Sequence, residues 1–438
     1  MKINTNNRSK FFFDRLFNNL IRFNLRVSSF LIYLLPFFLL IGPALPDIAI
    51  VITSILIFTE IIYYKNFKYF NNFYFKFFIF FYFFLIFSSL ISKYPISSLE
   101  SSVSYLRFIF LPIIIWFLIE NNKNFLKYFF IFLFITYTFA LFSGIYQYIF
   151  SETIFGFERS PPRIYLLASD NALLGHYLSR LFPLLVGLFI FFFRPKLIYY
   201  CVILVFFVTS DIVIFLSGER TALGLMFLSS IFIILFMSKF KYTRIMALLF
   251  SITVIIIISI YNPSIKERNL DMTIEQLGLS SNSDQIYLFS PEHHSLYLTS
   301  INMFLDKPFF GVGPNNFREH CNEKKYKINK YSCSTHPHNT YFQILAEIGI
   351  FGLIFISIIL MYLSYKLLLH VKSIFYKNNN RLDDLQICLF ACFLLSLFPL
   401  LPSLNFFTNW INIIYYLPIG FFLHTIYSKN YKKSYDDK

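Results

Sequence analysis

The chain has 438 residues, of which 57% are hydrophobic and 22% aromatic; only 14% are charged, with a formal net charge of +15. A soluble domain averages about 25% charged residues, so the composition excludes an ordinary soluble protein, and the aromatic content excludes a disordered one. The basic residues lie between apolar runs of membrane length rather than on one solvated face, which excludes a nucleic-acid partner and predicts an all-α, polytopic integral membrane protein surrounded by membrane lipids.

A helix crosses the hydrocarbon core with about 20 mostly apolar residues. The apolar runs predict twelve spans, at 27–43, 47–64, 73–92, 103–119, 125–150, 171–193, 197–215, 221–238, 242–261, 340–368, 385–402 and 410–427. Stretches such as 245–260 are apolar on every side, unlike the alternation of a barrel strand. Lys and Arg in short loops mark the cytoplasmic side. The N-terminal segment 1–26 carries Lys2, Arg8, Lys10, Arg15, Arg22 and Arg26, which predicts a cytoplasmic N-terminus and an uncleaved first helix rather than a signal peptide. Every second turn thereafter is basic: Lys65, Lys68 and Lys76; Lys123 and Lys127; Arg194 and Lys196; Lys239, Lys241 and Arg244; Lys366, Lys372, Lys377 and Arg381. The tail 428–438, with Lys429, Lys432, Lys433 and Lys438, is therefore also expected in the cytoplasm. The expected layout is spans 1–9 over 27–261, one large outer loop over 262–339 and spans 10–12 over 340–427.

Long loops are often the functional ones. In this loop Tyr297, Ile301, Phe304 and Leu305 place an apolar stripe on a short helix, to lie on the membrane surface or to pack on the bundle. Cys321 and Cys333 fall in the same loop. An oxidising outer compartment favours a disulfide between them, and their spacing lacks the close pairs of a metal site. Cys201, Cys388 and Cys392 lie within spans and read as small hydrophobes.

His338 would sit at the outer surface beside the N-terminus of span 10. The helix's positive end keeps the imidazole neutral, fit to accept a proton, and its unpaired N–H groups can hold an anion. Charged residues within spans are costly and usually functional. Arg107 lies early in span 4, Arg180 mid-way along span 6, Arg220 opens span 8, and Glu347 lies two turns into span 10. A guanidinium fork suits a diphosphate; the alternative is internal pairing, for example of Glu347 with one of these arginines. A second outer segment, 151–170, adds Arg159 and Arg163.

Three segments resemble the O-antigen ligase and polymerase superfamily of bacterial envelope enzymes. His338-Asn339, nine residues, then Gly349-Ile350-Phe351-Gly352 is similar to its His-Asn-x9-Gly-x-x-Gly signature, with Leu353 departing at the next position. Pro308-Phe309-Phe310-Gly311-Val312-Gly313, followed by Phe317, resembles its Gly-rich turn, and Ser217-Gly218-Glu219-Arg220 resembles its Ser-x-Arg segment with one more residue between Ser and Arg. The resemblance covers roughly 150–370 and says little about the first five spans. It implies glycosyl transfer at the outer face of the bacterial inner membrane. The donor would be a glycan on undecaprenyl diphosphate, and the acceptor a sugar hydroxyl of a lipid A-core. No metal and no cofactor are expected. By matching position His338 would be the general base and Arg220 would hold the departing diphosphate. The family's second arginine, at the start of the loop helix, is missing from Glu292-His293-His294-Ser295, which leaves His294 or Arg318 as substitutes. Asn339, Glu347, Gly311 and Gly313 are further substrate-binding candidates; the glycines would let backbone approach a sugar or phosphate, or simply make a tight turn. An O-antigen polymerase, with a second lipid-linked glycan as acceptor, is the alternative within the class. A protein O-oligosaccharyltransferase and a lipid-glycan or solute transporter are the remaining readings.

Overall fold

Apolar runs too long to end in water fold as helices that satisfy their own backbone. The computed structural model describes residues 5–158, 161–168, 171–276, 289–376 and 381–428. Among them regular structure is helical, apart from an isolated bridge between Glu152 and Glu158. The first half comprises α1 (Thr5–Ile41), α2 (Ala44–Tyr63), α3 (Phe73–Leu90), α4 (Pro95–Ser104), α5 (Leu106–Asn121), α6 (Phe125–Phe150), α7 (Leu174–Phe192) and α8 (Leu197–Leu216). The second comprises α9 (Arg220–Phe236), α10 (Lys241–Tyr261), α11 (Pro263–Lys266), α12 (Met272–Gln276), α13 (Pro291–Asp306), α14 (Phe317–His320), α15 (Thr340–Tyr376), α16 (Asp384–Leu397) and α17 (Asn409–Tyr427).

Nine helical segments among the described residues are long and apolar enough to cross a membrane. Helices α9 and α16 are shorter, and α17 is not among the nine. The chain is thus a polytopic membrane protein, while twelve crossings require these three as well. Their short length has a packing context: α9 and α16 pack on each other and on α7, and α7 is buried along almost its whole length. A helix wrapped by others along most of its length is the centre of a bundle.

Three features differ from the sequence reading. Span 4 starts earlier than expected: α4 and α5 join through Tyr105, whose φ −64° and ψ −25° are helical, into one stretch Pro95–Asn121. Span 10 is broken at Gly349, which has non-helical angles of φ 74° and ψ −158°. Arg244 does not lie in a solvated basic turn. It is fully buried and grips Asp211 of α8 with its two terminal guanidinium nitrogens, at 2.8 and 2.7 Å, while Ser251 adds a bond to Asp211 at 2.9 Å. A charge inside a bundle persists only when it is paired and hydrogen-bonded in this way.

The large loop folds onto the end of the bundle from which α15 starts, called here the loop end. Leu296, Tyr297 and Met303 of α13 form a small core with Val312, Phe317, Cys321, Tyr326 and Ala346. Tyr297 stacks on Phe342 at 4.3 Å. The expected stripe therefore divides: Tyr297 packs on the bundle, whereas Leu305 is 70% exposed. Helix α13 reaches its core through positions 296, 297, 300 and 303, a helical face. Cys321 and Cys333 form a disulfide with Cα atoms 4.9 Å apart. Cys388 and Cys392 are buried and Cys201 is exposed.

Candidate active site at the loop end of the bundle

Asn339 starts α15. Its side-chain oxygen accepts from Tyr341 N at 2.9 Å and Phe342 N at 3.3 Å, and its amide donates to Pro399 O at 2.8 Å. That is the work of an N-cap, so Asn339 positions the segment before it. The break at Gly349 leaves helix carbonyls without intrahelical partners. The Gly-rich turn pairs with two of them and with one freed N–H: Val312 N donates to Ala346 O at 2.9 Å, Gly313 N donates to Glu347 O at 3.0 Å, and Ile350 N donates to Pro308 O at 2.8 Å. Two motifs far apart in the chain are therefore the two halves of one joint. A Cβ on Gly311 would strike the Glu347 backbone, and one on Gly313 would strike Ser92. The expected sugar approach at Gly311 and Gly313 is thus corrected, because protein already fills the space beside both. Glu347 does not pair with an arginine; its carboxylate accepts from Phe317 N at 2.8 Å and from Gln343 at 3.0 Å, fixing the start of α14.

His338 precedes this joint in a left-handed conformation, φ 57°. Its carbonyl accepts from Ser403 N at 2.8 Å, and its Nε2 lies 3.3 Å from Ser334 Oγ. Two rings flank it, His336 at 4.1 Å and His293 at 5.7 Å between centroids. Burial pushes the His338 imidazole down to about 4, and the charge of His293 adds to the effect. His336 is pushed down to about 3, by burial first and then by His338. Burial and then Arg220 lower His293. The cluster is neutral at pH 7. Burial and like-charge neighbours cause this, rather than the helix end alone.

Arg220 opens α9 and donates to Gln276 Oε1 at 2.8 Å. The turn before it meets two other segments. Ile164 N bonds Ser217 O at 3.3 Å, which seats residues 162–164 against the turn, and Arg268 Nε bonds Gly218 O at 3.0 Å. Burial, then Arg163, then Arg220 hold the Arg268 guanidinium below its usual value. Three guanidinium groups from separate parts of the chain thus share one region. Below them Glu219 is buried and accepts from Gly175 N at 2.7 Å and His176 N at 3.1 Å.

The other expected residues have different surroundings. Arg107 forms an ion pair with Asp47 and bonds Asn409 Oδ1 at 2.7 Å; it ties α2, α5 and α17 together. Arg180 is not mid-way along its helix but two turns from the start of α7, where it donates to Leu395 O at 3.2 Å near the end of α16. These two arginines take the internal-pairing alternative. Arg318 is exposed and held by Asn315 at 3.0 Å. His294 is exposed; its neighbour His293 is the ring that faces His338. The face shared by His293, Tyr297 and Ser300 at helical spacing was the available signal for that residue. Nothing local to Arg268 marks it in the sequence. Arg159 lies outside the described residues.

Residues 203–357 match the family described as O-antigen ligase, and the O-antigen ligase-like resemblance is borne out over that region. The matched region contains both Arg220 and His338. No curated protein matches the chain.

Proposed function

We propose that the protein is an O-antigen ligase-like glycosyltransferase. It moves a glycan from undecaprenyl diphosphate to a sugar hydroxyl of a lipid A-core, at the outer face of a bacterial inner membrane and without a metal. The observation that supports the reading is that one family match spans both His338 and Arg220, with His293 linking them: its ring lies 5.7 Å from that of His338, and the Arg220 charge lowers its proton affinity. His338 takes the acceptor hydroxyl's proton, so that the oxygen can attack the anomeric carbon. Arg220, with Arg268 and Arg163, balances the charge that stays on the departing diphosphate. Arg268 fills the role left open by the missing arginine of the loop helix. A lipid diphosphate is already a good leaving group, so positioning, one base and charge stabilisation suffice.

The test is transfer in membranes that supply the lipid-linked glycan. His338→Ala and Arg268→Gln are each expected to lower transfer at least about a hundredfold, the usual scale for a general base or a charge-stabilising donor, while lipid-linked glycan accumulates. Transfer at the wild-type rate by His338→Ala would remove the base assignment. Glycan appearing on lipid A-core identifies a ligase; longer chains left on lipid diphosphate identify a polymerase.

A further inference from the structure

His336 touches more than the catalytic histidine. Its ring also lines a cavity of about 500 Å³ at the loop end, together with Asn171, Arg318, Thr335, Thr408 and Trp410. Amides, hydroxyls and a guanidinium can bond sugar hydroxyls and anionic substituents, and an indole can cover an apolar sugar face. His338 therefore borders two environments. Through His293 it meets the charge of Arg220, and through His336 it meets this cavity.

We propose that the cavity is the acceptor's saccharide subsite: it holds the sugar units beside the reacting hydroxyl, one of them carrying a carboxylate or phosphate that Arg318 engages. The inference rests on the glycosyl-transfer reading above. In a single displacement the nucleophile approaches the anomeric carbon opposite the leaving group. The acceptor's O–H proton passes to His338, its oxygen bonds the anomeric carbon, and the carbon–oxygen bond to the diphosphate breaks with its electron pair. The arginines occupy the leaving-group side, so the acceptor enters from the side of His336. Arg318 and Thr408 are exposed, on the rim where a saccharide enters.

The experiment measures initial rates of the full-length protein in membranes against lipid A-core and lipid-linked glycan purified from the source cells. Thr408→Phe fills the cavity and Arg318→Gln removes the charge. Each is expected to raise the acceptor KM about tenfold or more, the scale of a lost charged hydrogen bond, with kcat and the donor KM little changed. Arg318→Lys is expected to recover part of the loss. An unchanged acceptor KM in both variants, or a raised donor KM in its place, overturns the subsite. An unchanged KM in Arg318→Gln alone overturns the anionic substituent. Absence of transfer by the unmodified protein overturns the reading beneath it, a different outcome from either.

Discussion

His338 combines three properties that a sequence motif states only as a letter. Its φ of 57° is a conformation that a non-glycine residue keeps only when its surroundings over-determine it. The Ser403 N–H on its carbonyl and the Asn339 cap beside it supply that constraint. Its proton affinity is lowered by burial and by His293. In the proposed role the active form is the neutral ring, which here stays neutral as the pH falls through 6.5 and protonates only near 4. The pH profile of kcat/KM, which reports the free enzyme, is therefore expected to stay level through pH 6.5 and to fall only towards pH 4. An acid limb centred at 6.5 would mean that the base is a solvated imidazole elsewhere. Arg268 shows the opposite case, a residue with no motif around it whose proposed role follows from its contact with Gly218.

The decisive element is α15. As one 37-residue helix it would carry its carbonyls past the Gly-rich turn without a bond to spare. Broken at Gly349, it offers two of them to Val312 and Gly313, and the large loop becomes part of the bundle. The disulfide between Cys321 and Cys333 then closes the strap that leads into His338. Gly349 has angles that are essentially reserved for glycine, and its missing Cβ would lie 2.5 Å from Phe309 O. Gly349→Ala is expected to destabilise the protein by about 1–3 kcal/mol, read as a lower thermal midpoint in detergent. Gly42→Ala, with no atom within 4 Å of its Cβ position, is the control and is expected to leave the midpoint unchanged. Equal midpoints for the two variants would show that the joint does not hold the loop.

Across the whole molecule the net charge of +15 is what a cytoplasmic bias of Lys and Arg would produce. The basic turns alternate along the chain, and cytoplasmic loops collect Lys and Arg. The orientation this predicts is open to direct test. In a Cys201→Ser background, an impermeant maleimide is expected to label Lys307→Cys, in the large loop, in intact cells. Lys123→Cys is expected to react only after permeabilisation. The reverse pattern would place His338 and the arginines in the cytoplasm and end the outer-face reading. Both positions are exposed, so reactivity reports side rather than burial.

Apolar length and charge alternation are properties of contiguous residues, and they sum along the chain. The sequence by itself therefore determined the class and the positions of most apolar helices, and it pointed to the segment 262–339, His338 and Arg220 for the site proposed above. Pairing joins residues far apart in the chain, and only the tertiary structure decided it. It turned Arg107, Arg180 and Arg244 into internal ties, because a buried guanidinium must find a carboxylate or a carbonyl before it can serve a substrate. It set Glu347 on a backbone N–H rather than on an arginine. It chose His293 over His294, because His293 lies on the helix face of Leu296, Tyr297 and Ser300 and His294 falls outside that face. It brought Arg268 to the turn before Arg220 through a contact with a backbone 50 residues earlier.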